Sequence, residues 1–527
     1  MTIAAPVSSR DHDRRWWTLG VLCLSLLIVF GGNASLNVAI PTLSRSLDAT
    51  TSQLQWIVAV YSLVFAGLLF TSGALGDRYG RKGALQLGLL IYLVAAGLAT
   101  LSDQTWQLIV CRAVMGVGAA LIMPSTLSIL INVFPPHERT KAIAIWASFT
   151  GAVGAIGPPV SGLLLGHFWY GSVFLINVPI IALAFVAGHY LVPTSRDPRQ
   201  APLDPLGAVL SIVGIVALVY GLIEAPDKGW ASVTTLGSFA VAAVVLVLFV
   251  LWELRVDEPM LDIRLFRVPA FSVGSGGMIL VFLGMYGLMF LLTQYFQLVR
   301  GYSALHAATA ILPTTPIMFV VAPATPRLSA RFGAHRVVAA GMGCAAVGLV
   351  MFTAVGSASP YLYVLVSLCV FATGLALTMS PMTASIMSAV PARRAGAGSA
   401  MNDTTRELGS ALGVAVLGSI AASRYAARVG DVIASLPAGA RSEADSSLAG
   451  ALGVATRLPR ASALAVQSGA RAAFIDGLHL ACWSGVGLAL VAAVLVLRYL
   501  PHNAGATHPT EEDAPSPATP VDSMPAA

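Results

Sequence analysis

The sequence predicts an all-α membrane protein with fourteen spanning helices, and three observations carry the prediction. Of 527 residues 57% are hydrophobic and 10% charged, so 24 acids and 30 bases are too few to solvate a soluble protein of this length. Apolar runs of about twenty residues, enough to cross a bilayer, recur along the chain. Bases cluster on alternate short loops, as cytoplasmic loops do.

The first run, 17–40, is too long and lacks the small-residue cleavage site of a signal peptide, so it reads as a span. The next five are 54–75, 83–102, 106–130, 142–166 and 172–192. Two more, 205–224 and 233–253, precede a final six at 272–296, 304–326, 336–356, 361–388, 398–422 and 478–500. Loops after even-numbered spans carry fifteen bases, from Arg78, Arg81 and Lys82 to Arg393 and Arg394. Short loops on the other side carry three, Arg45, Lys228 and Arg300. Both termini are therefore expected in the cytoplasm, with the chain multi-pass in the inner (plasma) membrane. The net charge of +6 has the same origin and calls for no nucleic-acid partner. Cys23, Cys111, Cys344, Cys369 and Cys482 all fall inside spans and read as apolar packing, with no disulfide or metal framework.

Two regions lie outside the span pattern. Residues 424–473 read as one long, Ala-rich outer loop in which amphipathic helix can lie on the membrane surface. Residues 501–527 are a Pro/Ala/acid tail of disordered character. There is also an internal echo. "LGDRYGRK" (75–82) aligns with "LSARFGAHR" (328–336), matching Leu75, Arg78, Tyr79 and Gly80 to Leu328, Arg331, Phe332 and Gly333. Repeats of this kind build transporters with a substrate site between two halves.

Three motifs stand out. In "GALGDRYGRK" Gly73 and Gly76 allow close helix approach, Gly80 permits a tight turn, and Asp77 can pair with Arg78, Arg81 or Lys82. A plain positive-inside loop explains the bases but not the spaced glycines or the acid. In "CRAVMGVGAAL" Arg112 sits inside the fourth span, where it either snorkels to the interface or faces the bundle interior. In "GAVGAIGPPVSG" Gly151, Gly154 and Gly157 recur every three residues, followed by Pro158, Pro159 and Gly162, a pattern for a kinked, closely packed helix.

These stretches resemble the major facilitator superfamily. The first matches its signature loop between spans 2 and 3, which in that family latches the cytoplasmic side and gates it. The second matches its Arg-x-x-x-Gly-x-Gly-x-Ala pattern at Arg112, Gly116, Gly118 and Ala120, where the arginine is thought to aid proton transfer at a nearby carboxyl. The third resembles the Gly-x-x-x-Gly-Pro-x-x-Gly-Gly motif of its antiporters. With fourteen spans, "NVAIP" (37–41), "QWIVAVYSL" (55–63) and "FLINVP" (174–179), the resemblance narrows to the fourteen-span drug:proton antiporters. It implies a major facilitator fold of two six-helix bundles, 17–192 and 268–500, with two inserted transmembrane helices in 193–267 and a cytoplasmic tail at 1–16.

The charge cluster "MNDTTRELG" (401–409) heads the thirteenth span. Asp403 and Glu407 are four apart and share a helical face, which Arg406 also reaches. Asp403 and Arg406 can sit at the interface, but Glu407 lies about nine residues into the span, roughly 13 Å at 1.5 Å per residue. A charge at mid-membrane costs about 2.5–3.5 kcal/mol, which demands a reason. The resemblance supplies one: acids in this context serve proton coupling and cation recognition, with Asn402 replacing the first of three. A carboxyl in a partly dry cavity can exchange its proton for a cationic substrate. One charge crossing 100 mV releases about 2.3 kcal/mol, roughly a fiftyfold substrate gradient. The chain departs from the family in its first span, where Asn33 of "NASLNVAIP" replaces an aspartate and removes one coupling site. Glu224 reads as a capping or loop acid, and His189 and His479 as structural.

The function expected is therefore proton-coupled export of amphipathic organic compounds by alternating access, with a dedicated exporter of an endogenous lipid or antibiotic-type metabolite as the alternative. No enzymatic activity is expected. No phosphate-binding loop is present and no cofactor is expected beyond the proton as coupling ion. The expected partners are a small organic substrate and the bilayer, with the chain acting as a monomer. Tyr61, Trp146, Tyr286 and Phe290 either stack on substrate or pack in the core.

Overall fold

In hydrocarbon no water satisfies backbone N–H and C=O groups, so an apolar chain of this composition closes every bond within helices. The computed structural model describes residues 9–194, 204–256, 259, 261–390 and 395–501, apart from a few side chains that include Asn33, Asp77 and most of 136–155. The first helices are α1 (Ser9–Ser46), α2 (Thr51–Tyr79), α3 (Arg81–Thr100), α4 (Thr105–Val133) and α5 (Pro136–His167). The short α6 (Ser172–Leu175) and α7 (Asn177–Leu191) together make one crossing. The next are α8 (Pro205–Lys228), α9 (Val233–Glu253) and α10 (Pro269–Gln294). A third crossing group follows: α11 (Ala304–Ile311), α12 (Thr315–Phe332), α13 (Ala334–Phe352), α14 (Tyr361–Ser388) and α15 (Ala395–Ile433). The chain closes with α16 (Ala438–Ser446), α17 (Leu448–Ala455) and α18 (Arg460–Tyr499).

Thirteen described segments are long and apolar enough to cross a membrane. The 32-residue α5 is not among them but packs in the bundle against α1 and α11, consistent with the fourteen spans expected. Among the described residues no strand occurs. The starts of α1, α3 and α5 and the end of α7 share one face, called here the terminal face. Arg15 pairs with Glu138 at 2.7 Å, Thr18 Oγ1 donates to the Leu191 carbonyl and Lys82 Nζ to the His189 carbonyl. The opposite face is the distal face.

The sequence echo has a structural counterpart longer than the motif. Gly80 turns α2 into α3 at φ 118°, and Gly333 turns α12 into α13 at φ 86°, a region that favours glycine. Each turn glycine donates its N–H four residues back, to Gly76 and to Ser329. Arg78 lies over the Tyr79 ring at 5.5 Å and Arg331 over Phe332 at 5.2 Å. Eight residues beyond each turn a second glycine meets another on the next helix. A Cβ on Gly88 would lie 2.8 Å from the Gly118 carbonyl, and one on Gly341 2.9 Å from that of Gly374. The pairs α3–α4 and α13–α14 thus pack backbone to backbone in the same way.

Helices α8 and α9 pair with each other, and α8 lies along the seam between α2 and α15. Val219 and Ile223 of α8 meet Ala59 and Leu63 of α2 and Ala411 and Ala415 of α15 in one buried cluster.

The outer loop differs from expectation. Instead of a long loop at 424–473, α15 runs on to Ile433, α18 begins at Arg460, and α16 and α17 fill most of the interval. Helix α17 is packed into the protein. Leu448, Ala449, Ala451, Val454 and Ala455 are buried, and α17 packs on α18, α16 and α1. The buried Tyr425 hydroxyl donates to the Ala444 and Ser447 carbonyls at 2.9 and 3.2 Å, folding the segment inward. Those polar contacts override the scattered charges that made the stretch look like a surface element. The tail predicted as disordered lies, beyond Pro501, outside the described residues.

Candidate functional site

Glu407 emerges from α15 about 18 Å from the helix start at 1.5 Å per residue, and it is only 8% exposed. Its surroundings are built by two close helix approaches. On one side, Gly409 and Gly413 press α15 onto α10, where Cβ atoms would sit 2.5 Å from the Ile279 carbonyl oxygen and within 2.5 Å of that of Leu283. On the other, α15 meets α2, where the Ser410 hydroxyl donates to the Glu407 carbonyl at 2.8 Å and lies in hydrogen-bond contact with Ser62 Oγ at 3.0 Å. Ser62 also stands beside the Glu407 carboxyl. Glu407 Oε2 is buried with no hydrogen-bond partner among the described residues. An orphaned buried carboxylate oxygen costs about 1–3 kcal/mol or more, unless a proton or ligand occupies it.

Arg112 of α4 is 0% exposed, so it faces the bundle interior and does not snorkel. Its Nε donates to the Ile57 carbonyl at 3.1 Å, and the guanidinium lies 4.2 Å over the Tyr61 ring. Tyr61 is fixed in turn by a 2.9 Å hydrogen bond to the Val29 carbonyl and an edge contact with Tyr92. Gly116 makes this possible, since a Cβ there would lie 2.7 Å from the Tyr61 carbonyl. Arg112 and Glu407, one from each bundle, lie within electrostatic reach of each other.

Asp403 and Arg406 form a 3.7 Å ion pair on the same face, both partly buried. Arg406 lies 5.0 Å over Phe282, which stacks on Tyr286 at 6.1 Å. Asn402 accepts from Thr383 Oγ1 at 3.1 Å. Of the four aromatics weighed for substrate stacking, Tyr61 and Phe290 are core residues, 1% and 0% exposed, and Tyr286 is half-buried beside Glu407. The half-buried Trp146 has a buried indole N–H with no partner among the described residues.

The third motif joins the bundles. Ser161 Oγ donates to the Ser35 carbonyl at 2.8 Å, tying α5 to α1. A Cβ on Gly162 would lie 2.6 Å from Leu305 Cα, so α5 meets α11 of the second bundle backbone to backbone. Pro158 and Pro159 stand within α5, and Gly157 accepts from Ser35 Oγ at 3.4 Å. The surroundings of Gly154 and the side chains of Asn33 and Asp77 lie outside those described. In the first motif, a Cβ on Gly73 would make ordinary contact with Pro124 at 3.6 Å, and Arg81 opens α3.

Sequence reasoning missed the clasp between the bundles. The fully buried Gln55 donates through Nε2 to the Val414 carbonyl at 3.0 Å and to Ser419 Oγ at 3.4 Å. Gln297 Nε2 donates to the Val38 carbonyl at 2.9 Å, and Thr51 Oγ1 to that of Ser446 at 3.0 Å. The signal was present: lone amides inside apolar spans are costly unless they bond another helix. These contacts and the Gly162–Leu305 approach hold the distal face closed. Meanwhile Glu224 accepts from Trp56 Nε1 at 3.2 Å and pairs with Lys228 at 3.1 Å. The His479 ring bonds the Val355 carbonyl at 2.8 Å. Both are structural roles.

The Gly162 contact carries a prediction. Gly162→Ala puts a methyl against a backbone that cannot retract, so the distal face is expected to open. Spin labels on His167 and His306, measured by pulsed electron resonance, should move apart relative to the same labels in the parent chain.

Two repeated bundles meeting around a buried acid define a membrane transporter of the alternating two-bundle type. The chain belongs to the Major Facilitator Superfamily, which it matches over residues 22–414. It is 37% identical to the multidrug efflux pump LfrA of Mycolicibacterium smegmatis, across 93% of this chain and 96% of that protein. It is 33% identical to the tetracenomycin C resistance and export protein of Streptomyces glaucescens, across 94% and 93%. Among solved structures it resembles a bacterial homologue of the lysosomal transporter Spinster, with TM-score 0.64, 18% identity and coverage of 93% and 99%.

Proposed function

We propose that the chain exports amphipathic, mainly cationic organic compounds from the cytoplasm in exchange for protons, with Glu407 as the carboxyl that carries the proton. The observation that carries this reading is the burial of Glu407 at the seam of the bundles with Oε2 unpartnered. A proton neutralises it there. A cationic substrate reaching it from the cavity replaces that proton. Arg112, stacked on Tyr61 in the opposite bundle, sets the potential around the carboxyl and favours proton release when the bundles close. Asp403 and Arg406 neutralise each other beside it and leave Glu407 as the acid that changes charge. The terminal face is cytoplasmic because the bases concentrate on its loops, so the closed distal face corresponds to a cavity awaiting substrate from inside. The relatives' names, a multidrug efflux pump above all, support the substrate class.

A second reading, export of one antibiotic-type metabolite, is favoured by the likeness to a tetracenomycin C exporter and by Asn33 in place of an acid. Susceptibility of cells expressing the protein separates the two. Resistance to several unrelated cationic dyes and antiseptics supports multidrug export. Resistance to a single compound class supports the dedicated exporter, and unchanged susceptibility to all of them contradicts both.

A further inference from the structure

Away from the seam, a second pair of acids meets at the terminal-face end of the inserted helices. Asp204 caps α8: its Oδ1 accepts from the Gly207 N–H at 2.8 Å and from Trp252 Nε1 at 2.9 Å. Glu253, the last residue of α9, is 2% exposed, and its Oε2 accepts from the Leu261 N–H at 2.9 Å. Each carboxyl therefore has one oxygen satisfied by N–H donors. The other two, Asp204 Oδ2 and Glu253 Oε1, are buried with no hydrogen-bond partner among the described residues. They face the same point. A Cβ on Gly207 would be within 2.5 Å of Asp204 Oδ2 and 2.5 Å from Glu253 Oε1, so the two carboxyls lie close enough to repel when both are charged.

Two ionised carboxylates cannot abut in a buried site without strong repulsion, whereas one proton between them removes the repulsion and satisfies both bare oxygens. Among the described residues the charged groups facing Glu253 offer no other relief. They are Asp204 from the start of α8 and Asp262 from the segment after α9, both acidic, while Arg255 is exposed. A metal ion is a poor occupant, since among the described residues no group of three or more His, Cys, Asp or Glu is placed to hold one.

We propose that Asp204 and Glu253 form a proton-binding site, separate from Glu407, that holds a single proton between Asp204 Oδ2 and Glu253 Oε1. The site joins the start of α8, the end of α9 and the connector that leads through Leu261 to α10. Helix α8 lies along the seam and α10 packs on α15, and this proton fastens the two inserted helices to each other and to the connector that runs on to α10. With the proton bound, hairpin and connector stay docked. Loss of the proton leaves two like charges in contact and loosens them, so the stabilisation is present at low pH and lost as pH rises.

Infrared difference spectroscopy on the purified full chain tests this, using Glu407→Gln as the background so that the seam acid is silent. Between about pH 5 and pH 9 a protonated-carboxyl C=O band is expected to titrate. The band should vanish when Glu253→Gln or Asp204→Asn is added. Each amide is a near-isostere that donates to the surviving carboxylate, so folding is retained. In the same Glu407→Gln background the thermal unfolding midpoint should fall with pH across this range, and the fall should shrink when Glu253→Gln is added. A spectrum unchanged by both added substitutions would overturn the proposal. So would loss of the band at fixed pH on adding sodium or magnesium, which would assign the site to a metal cation.

Discussion

Cells expressing Glu407→Gln are expected to retain the protein in the membrane but to lose proton-coupled efflux. The substitution keeps the side chain's size and its place beside Ser62. It removes only the ability to release a proton. Exchange of one proton for one monovalent cation moves no net charge, so each pH unit across the membrane supports about a tenfold outward gradient of substrate, and without the exchange that gradient should be lost. The amide can still meet the unpartnered environment of Oε2, so a loss of folding is not the expected cause. Dye accumulation in energised cells or vesicles measures this, with expression checked in parallel. Asp403→Asn should be milder, because Arg406 already neutralises that acid at 3.7 Å.

Gly413→Ala is expected to have the largest effect on folding. The added methyl would lie within 2.5 Å of the Leu283 carbonyl oxygen and 2.9 Å from its Cα, all backbone, so α10 and α15 must separate. Overpacking of this kind costs about 1–3 kcal/mol, and here it also displaces Glu407 from Ser62. Gly284→Ala is the control: it lies on α10 beside Leu283, yet nothing stands within 4 Å of its Cβ position. Thermal unfolding of the purified proteins should show a lower midpoint for Gly413→Ala and a parent-like one for Gly284→Ala. Equal midpoints would mean that the helices are not held this tightly.

Much of the architecture was legible in the sequence because hydrocarbon leaves a chain few options. Length and apolarity alone mark spans, and the cost of a charge at mid-depth singles out Arg112 and Glu407. The turn glycines were readable too, since Gly80 and Gly333 sit between helices in matching contexts. What a uniformly apolar helix does not declare is which neighbour each face meets. Hence the packing of α8 on the seam and the partners of Gln55 and Gln297 could not be read from spacing. Ser62 and Ser410 were hidden for another reason: a serine in a span usually bonds its own helix, as Ser125 does with the Leu121 carbonyl. The Asp204–Glu253 contact joins residues far apart in sequence at two helix ends, where single acids look like ordinary caps. The stretch at 424–473 was readable as holding helix, but its packing was not, because contacts such as those of Tyr425 with the Ala444 and Ser447 carbonyls leave no periodic signal.

Coupled export requires Glu407 to give up a proton when substrate arrives, and proton release from purified protein in weakly buffered detergent solution measures that step directly. Adding a cationic dye to the parent chain should acidify the medium in a saturable way, and adding it to Glu407→Gln should not. Equal acidification from both chains would contradict the role assigned to this acid.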